Sequence, residues 1–374
     1  MKQTRSIFFT TIRSQFLDIL QSKSWGIVFV IFSIIAAHNR VNAETAVPPP
    51  VVNTQEIVQK VTKELDKDNG ASESEKIIAI TDSFLGSGTY PFVSAQELFN
   101  KAIQTGNNGY FLLSIQDTED YTKGHIPGAF NIPFNKLAQK SSLANIPKDR
   151  KVVVICYNGH TANAAALFLN QIGYDASPML MGMSAWNVAS PGLGKRKPYA
   201  GSAGYAISTE STMPPALRSE VPAVLTGKKA LKEIVIARTD AYLSAKQPLE
   251  IAPSEVYEKA IKNGDPGYFL LSVQRAEDYS KGHVPGAMNI PYNEIAKKEN
   301  LEKLPRDKKI VVVCYIGHLA GAVSMFLNQL GYEAYDMRYG TMGWNDTTDG
   351  LGPKKPYLPA IVSSMGYPTS AGSK

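Results

Sequence analysis

Gly109–Lys136 reads GYFLLSIQDTEDYTKGHIPGAFNIPFNK, and Gly267–Glu294 reads GYFLLSVQRAEDYSKGHVPGAMNIPYNE. Twenty of these 28 positions are identical at a constant offset of 158, which also pairs Cys156 with Cys314, His160 with His318, Trp186 with Trp344 and Asp82 with Asp240. A repeat on this scale is a duplicated domain, since solenoid units run only about 20–45 residues. The two units are placed at 76–200 and 234–358. Outside them, 1–43 reads as a signal peptide, 44–75 as an N-terminal extension, 201–233 as a Ser-, Ala- and Pro-rich linker, and 359–374 as a loose C-terminal tail.

Within a unit, short β-branched runs alternate with helical patterns. Tyr110–Ile115 and Val152–Ile155 are short apolar runs with the signature of buried strands, and Ala176–Leu180 reads as another short strand. Thr161–Ile172 (TANAAALFLNQI) is Ala-rich and stops at Gly173, as a helix with a glycine end does. The predicted fold is therefore α/β, two tandem domains, each a mainly parallel sheet flanked by helices. Ligands of such sheets bind where strands end and helices begin.

A cysteine stands at that junction in both units. VVVIC leads through YNGH into TANAAALF, and IVVVC leads through YIGH into LAGAVSMF. Gly159 and Gly317 free the turn from side-chain obstruction, and successive N–H groups at a helix start favour an anion. A thiol in such a cradle is expected to have its pKa drawn below about 8.5. The candidate catalytic residues are Cys156 and Cys314. The loops that would bind substrate are Tyr157, Asn158, Gly159, His160 and Thr161, and Tyr315, Ile316, Gly317, His318 and Leu319.

The loop Cys156–Thr161, C-x-x-G-x-T, resembles the active-site loop of the rhodanese family. Tyr121–Ala129 resembles that family's Y-x-x-G-H-I-P-G-A segment, and Gly182–Trp186 its G-x-x-x-W close; all three recur at Cys314–Leu319, Tyr279–Ala287 and Gly340–Trp344. The resemblance implies sulfurtransferase chemistry: a cysteine thiolate takes sulfur from thiosulfate or polysulfide as a persulfide, and a thiophilic acceptor removes it. It implies no metal and no organic cofactor. The partners are a small sulfur-containing substrate and a thiol or sulfide acceptor.

Two departures bear on activity. Ser114-Ile115-Gln116 and Ser272-Val273-Gln274 stand where many rhodaneses carry D-x-R, and Leu319 replaces the Arg or Thr of the sixth loop position. Cys156 is therefore ranked above Cys314, and a polysulfide donor above a doubly charged thiosulfate. The same departures motivate the alternative, a non-catalytic rhodanese-fold module that binds polysulfide or a protein partner. Phosphatase-like chemistry would need a longer loop ending in Arg. A disulfide between the two cysteines is a further alternative, weakened by their equivalent places in separate units. His160 and His318 follow the cysteines at C-x-x-x-H spacing but supply too few ligands for a metal; they serve structure first and a cationic role second. His125 and His283 are expected to hold the G-H-[IV]-P-G turn through a ring hydrogen bond. Trp186 and Trp344 are read as core aromatics, while Tyr157 and Tyr315 either line the pocket mouth or pack.

The chain is 374 residues long with a formal charge of +6. Lys2, Arg5, Arg13, Lys23 and Arg40 against Asp18 place +4 of that in 1–43, leaving +2 elsewhere. No basic stripe with interleaved aromatics remains, so nucleic acid is excluded as a partner. The basic start, the apolar run from Trp25 to Ala37 and the small residue Ala43 predict export, to a periplasm, with the membrane involved only if the segment stays uncleaved.

Overall fold

The short apolar runs form parallel strands in both units. The computed structural model describes residues 54–67, 70–86, 92–213, 218–245 and 247–372. The expected signal peptide lies outside the described residues. In the first unit β1 (Tyr110–Ser114), β2 (Phe130–Asn131), β3 (Lys151–Ile155) and β4 (Ala176–Pro178) make an all-parallel sheet in the order β2-β1-β3-β4. In the second, β5 (Glu250–Ile251), β6 (Tyr268–Ser272), β7 (Met288–Asn289), β8 (Lys309–Val313) and β9 (Glu333–Met337) take the order β5-β9-β8-β6-β7. The first sheet keeps a single parallel bridge, Val93 to Met179, where the second has β5 on β9. Val152–Ile155 and Ile310–Val313 are wholly buried, which explains why these runs do not alternate.

Five longer helices cover the sheets: α1 (Thr54–Lys67), α2 (Glu73–Leu85), α3 (His160–Gln171), α4 (Leu231–Ser244) and α5 (His318–Leu330). Ser72 and Glu75 close a capping box at the start of α2. The helix expected at Thr161 begins one residue earlier, at His160.

The core does not stop at the unit boundary. One hydrophobic cluster runs from β1 and β3 through α3 and α5 to β6 and β8. Small side chains at Ala162, Ala164, Ala165, Ala166, Ala320 and Ala322, all fully buried, let α3 and α5 approach closely. A Cβ on Gly321 would sit 2.5 Å from the His160 carbonyl oxygen. At the far end of the seam Gln171 and Gln329 exchange amide hydrogen bonds of 3.0 and 2.8 Å, and each donates to a threonine, Thr81 and Thr239, at 2.9 Å. These four residues are related by the repeat offset, so the seam is an approximate twofold axis between the units.

The segments after each unit cross over. Tyr205 stacks on Tyr257 at 4.1 Å, Trp344 Nε1 donates to the Ala206 carbonyl at 2.8 Å, and Ser208 bridges His283. Reciprocally, Tyr367 stacks on Phe99 at 4.2 Å, Trp186 Nε1 donates to the Pro368 carbonyl at 2.9 Å, and Ser370 bridges His125. The tail, expected to be loose, is therefore seated through Gly372, because the buried tryptophans need a hydrogen-bond acceptor and an apolar cover that their own unit lacks.

Candidate active site

Each strand–helix junction folds its cysteine into the same cradle. β3 ends one residue before Cys156, Gly159 takes φ 94°, and its amide donates to the Cys156 Sγ at 3.0 Å. In the second unit Gly317 has φ 87° and donates to Cys314 Sγ at 3.1 Å. These φ values lie where only glycine is comfortable, and a Cβ on either residue would also run into the ring of the other unit's loop histidine. The amides of Asn158 and Ala162 and the Thr161 hydroxyl also act on Cys156; Ile316 and Ala320 do so on Cys314, with no hydroxyl at Leu319.

The thiol pKa departs from the expected direction. Both cysteines are 1 % exposed, and burial pushes both thiols up. A hydrogen bond to a charged acceptor is worth roughly 1.5–3 kcal/mol, and full burial shifts a group by up to about 3–5 pKa units. The two effects are thus comparable, and at both cysteines desolvation wins. Cys314 is pushed up to about 11, with the Asp336 carboxylate adding to the burial. Both thiols are free, so the disulfide alternative has no counterpart here.

The loop histidines cross the seam. His160 Nδ1 donates to Asp336 Oδ2 at 2.7 Å, and its Nε2 accepts from the Tyr339 amide at 3.3 Å, beside the second unit's loop. His318 Nε2 donates to the Asn158 carbonyl at 3.1 Å, inside the first. Each tautomer is fixed by these partners. Burial and the neighbouring His160 depress His318 to about 3, so it is neutral and cannot collect anions. Burial opposes a charge on His160, but the Asp336 carboxylate outweighs it and raises the ring's pKa. Asp336, itself fully buried, is pushed up to about 7. Among the described residues no three His, Cys, Asp or Glu side chains are grouped to hold a metal ion.

The other motif residues are scaffolding. His125 and His283 bond the Tyr121 and Tyr279 carbonyls through Nδ1 at 2.8 and 2.7 Å, and stack on those tyrosine rings. Trp186 and Trp344 are buried under the crossed segments. Tyr157 takes both its roles: it lines a cavity, and its hydroxyl accepts from the Asp117 amide at 2.9 Å and donates to Asp120 at 2.8 Å. Tyr315 makes the matching bonds to Arg275 and Asp278. Gln116 and Gln274, in the place of the missing arginines, each donate to two carbonyls and accept from Ser114 or Ser272. An uncharged amide thus does the bracing that a charged pair would do.

Cys156 lines a cavity of about 400 Å³ with Tyr157, Asn158 and Thr161; Gly159 and His160 lie behind the wall, and the whole second loop, Cys314–Leu319, lies outside it. Part of the wall comes from the second unit, from Tyr242 and Leu243 on α4 and from Glu250 and Arg338. Arg338 Nε donates to Glu250 at 3.0 Å, and Arg196 stacks over Tyr157 at 5.2 Å. Burial alone would raise the Glu250 carboxyl, but His160, Arg338 and Arg196 hold it below the usual range. The sequence reading missed Arg196, Glu250, Asp336 and Arg338. One signal was present: three of them are charged in one copy and apolar in the other, opposite Phe92, Pro178 and Leu180 at the repeat offset.

The profile of the family described as Rhodanese-like domain matches residues 95–189 and 253–347, just over half of the chain. A thiosulfate sulfurtransferase of Shewanella oneidensis is 38% identical over 80 residues, which are 21% of this chain and 77% of that protein. A putative sulfurtransferase of Bacillus subtilis is 28% identical over 99 residues, 26% of this chain and 92% of that protein. A tRNA sulfurtransferase of Pyrobaculum aerophilum is 32% identical over 127 residues, 33% of this chain but only 25% of that protein. The domain and these relatives support a sulfurtransferase role at the level of the family.

Proposed function

The chain belongs to the rhodanese-like domain family, and from that premise we propose that it is a sulfurtransferase whose working nucleophile is Cys156. The carrying observation is that Cys156 combines a ring of loop donors with a place on the wall of a cavity large enough for a substrate. The thiolate attacks the outer sulfur of a polysulfide or thiosulfate. The S–S bond breaks, the remainder of the donor leaves with the bonding pair, and Cys156 becomes a persulfide. The Asn158, Gly159 and Ala162 amides and the Thr161 hydroxyl then face the sulfur that carries negative charge. A thiol or sulfide acceptor completes the cycle. Polysulfide is the favoured donor, because the loop itself holds no cation.

The test is to incubate the purified chain with polysulfide or thiosulfate and follow intact mass and peptide maps. One added sulfur on Cys156, lost again on addition of cyanide, is the expected result; an unreactive Cys156 sinks the proposal. A second reading, a non-catalytic module that binds polysulfide, is favoured by the burial of both thiols. It predicts binding without any mass gain. Export to a periplasm is part of the proposal and rests on residues 1–43 alone; a mature N-terminus at Glu44 in a periplasmic fraction supports it. Among the described residues no helix is long and apolar enough to cross a membrane.

A further inference from the structure

Asn158 and Gly159 share one trans peptide plane, so the Asn158 carbonyl and the Gly159 amide point away from each other. The amide is a donor to Cys156 Sγ, at 3.0 Å. A plane that ends on a glycine is easily turned over, because the rotation changes only ψ of Asn158 and φ of Gly159, and glycine accepts φ of either sign. Turned over, it would present a carbonyl oxygen to the sulfur in place of a donor. A cradle that is to hold a sulfur anion therefore needs the Asn158 carbonyl held on the far side.

The His318 ring, reaching over from the second unit, does this. It is buried, and its Nε2 donates to the Asn158 carbonyl at 3.1 Å. Phe92 and the edge-on His160 ring, each 5.8 Å away, pack against it. Among the described residues its Nδ1 has no partner. Burying an imidazole costs free energy unless it is hydrogen-bonded, and the bond to Asn158 is what offsets that cost. Burial first, then His160 and Lys354, keep the ring neutral, so the donor does not titrate near neutral pH. The reciprocal bond is missing. At the repeat offset the ring is His160 and the carbonyl is that of Ile316. Asp336 takes the His160 Nδ1 at 2.7 Å and the Tyr339 amide donates to its Nε2 at 3.3 Å, so this ring has no donor left for Ile316. His318 meets no such carboxylate, because Pro178 stands in the place of Asp336.

We propose that His318 is a positioning residue for Cys156: from the second cysteine loop it locks the Asn158–Gly159 peptide with its N–H on the sulfur of the first. His318 is not on the cavity wall, so it acts through that peptide and touches no substrate. The second loop thus serves the first by delivering a ring, whatever its own thiol does. The inference rests on the sulfurtransferase reading for what the locked donor is used for, though not for the lock itself.

Alkylation of both cysteines across pH is read in one molecule, so that Cys314 serves as the internal control. His318→Phe keeps the bulk of the ring and removes the donor; His318→Gln returns an amide N–H near the place of Nε2. His318→Phe is expected to move the Cys156 midpoint up, with about a tenfold loss of thiolate at any pH below it. Cys314 should stay near 11, and His318→Gln should recover most of the loss at Cys156. Sulfur loading from polysulfide should fall and recover with the same two variants. An unmoved Cys156 midpoint in His318→Phe, a His318→Gln no better than it, or both thiols labelling faster together, as loosened packing would make them, overturns the inference. Should neither variant fold, the native chain still decides. NMR of isotope-labelled histidine is expected to show His318 neutral between roughly pH 5 and 8, with its proton on Nε2 and slow to exchange; a ring that titrates there, or carries its proton on Nδ1, overturns the lock. A native Cys156 that never takes up sulfur while the alkylation results hold would sink the sulfurtransferase reading and leave the lock standing.

Discussion

The two cysteine loops share a backbone and differ in everything around it. Cys156 receives a hydroxyl donor from Thr161 and lies on a charged, solvent-reaching wall completed by the other unit. Cys314 has Leu319 in place of the hydroxyl and the buried Asp336 carboxylate for a neighbour, while Phe92 of the first unit lies 5.8 Å from His318. The cradle sets where a sulfur anion could sit; what surrounds the cradle decides whether it forms. Duplication made two such loops, and the seam between them made them unequal.

Removing each thiol in turn has the largest expected effect. Cys156→Ser is expected to lower turnover with polysulfide or thiosulfate by more than a hundredfold, and Cys314→Ser by no more than about twofold. Equal losses would mean that the surroundings matter less than the loop.

Alkylation of each cysteine, followed by mass spectrometry across pH, should give a midpoint near 11 for Cys314 and one above the ordinary thiol range for Cys156, whose burial outweighs its donors. Thr161→Leu should slow Cys156 labelling by at least about tenfold, as the loss of one hydrogen bond of roughly 1.5–3 kcal/mol to a charged sulfur requires. Asp336→Asn should lower the Cys314 midpoint, because it deletes a negative charge. A Cys314 midpoint unmoved by that substitution would show the carboxylate to be irrelevant.

The smallest effect is on stability. Burial pushes Asp336 up to about 7, well above the ordinary carboxylate range, and the Asp336 carboxylate raises His160 as well. The folded pair therefore holds protons that the unfolded chain releases, and this contribution is fully present below the unfolded carboxylate value and lost as pH rises through about 7. Melting curves between roughly pH 5 and 8 should fall more steeply for the native chain than for Asp336→Asn. Parallel slopes would remove the pair from the account.

Much of this was legible in the sequence because each local signal had a local cause. The runs YFLLS and VVVI read as buried strands and form strands, and Gly159, read as the residue that frees the turn, takes left-handed backbone. Leu319 marked the loop without a hydroxyl donor. The missing part has a physical reason too. Pairing residues at an offset of 158 aligns equivalent places, and these meet only near the twofold axis, as Gln171 and Gln329 do; away from it the seam joins non-equivalent residues. His160 bonds Asp336, whose own equivalent is Pro178, and Cys156 shares its cavity with Glu250 and Arg338, not with Cys314. The thiol pKa was misjudged because the motif reports the donors of the loop but not the depth at which the fold sets it.

The crossed segments make the two units mutual lids. Each tryptophan shelters beneath chain belonging to the opposite half, so neither half owns a finished surface. Cutting the covalent tether near residue 220 should leave a pair of fragments that stay clasped, whereas either half produced alone would bare an aromatic groove and seek another copy to fill it.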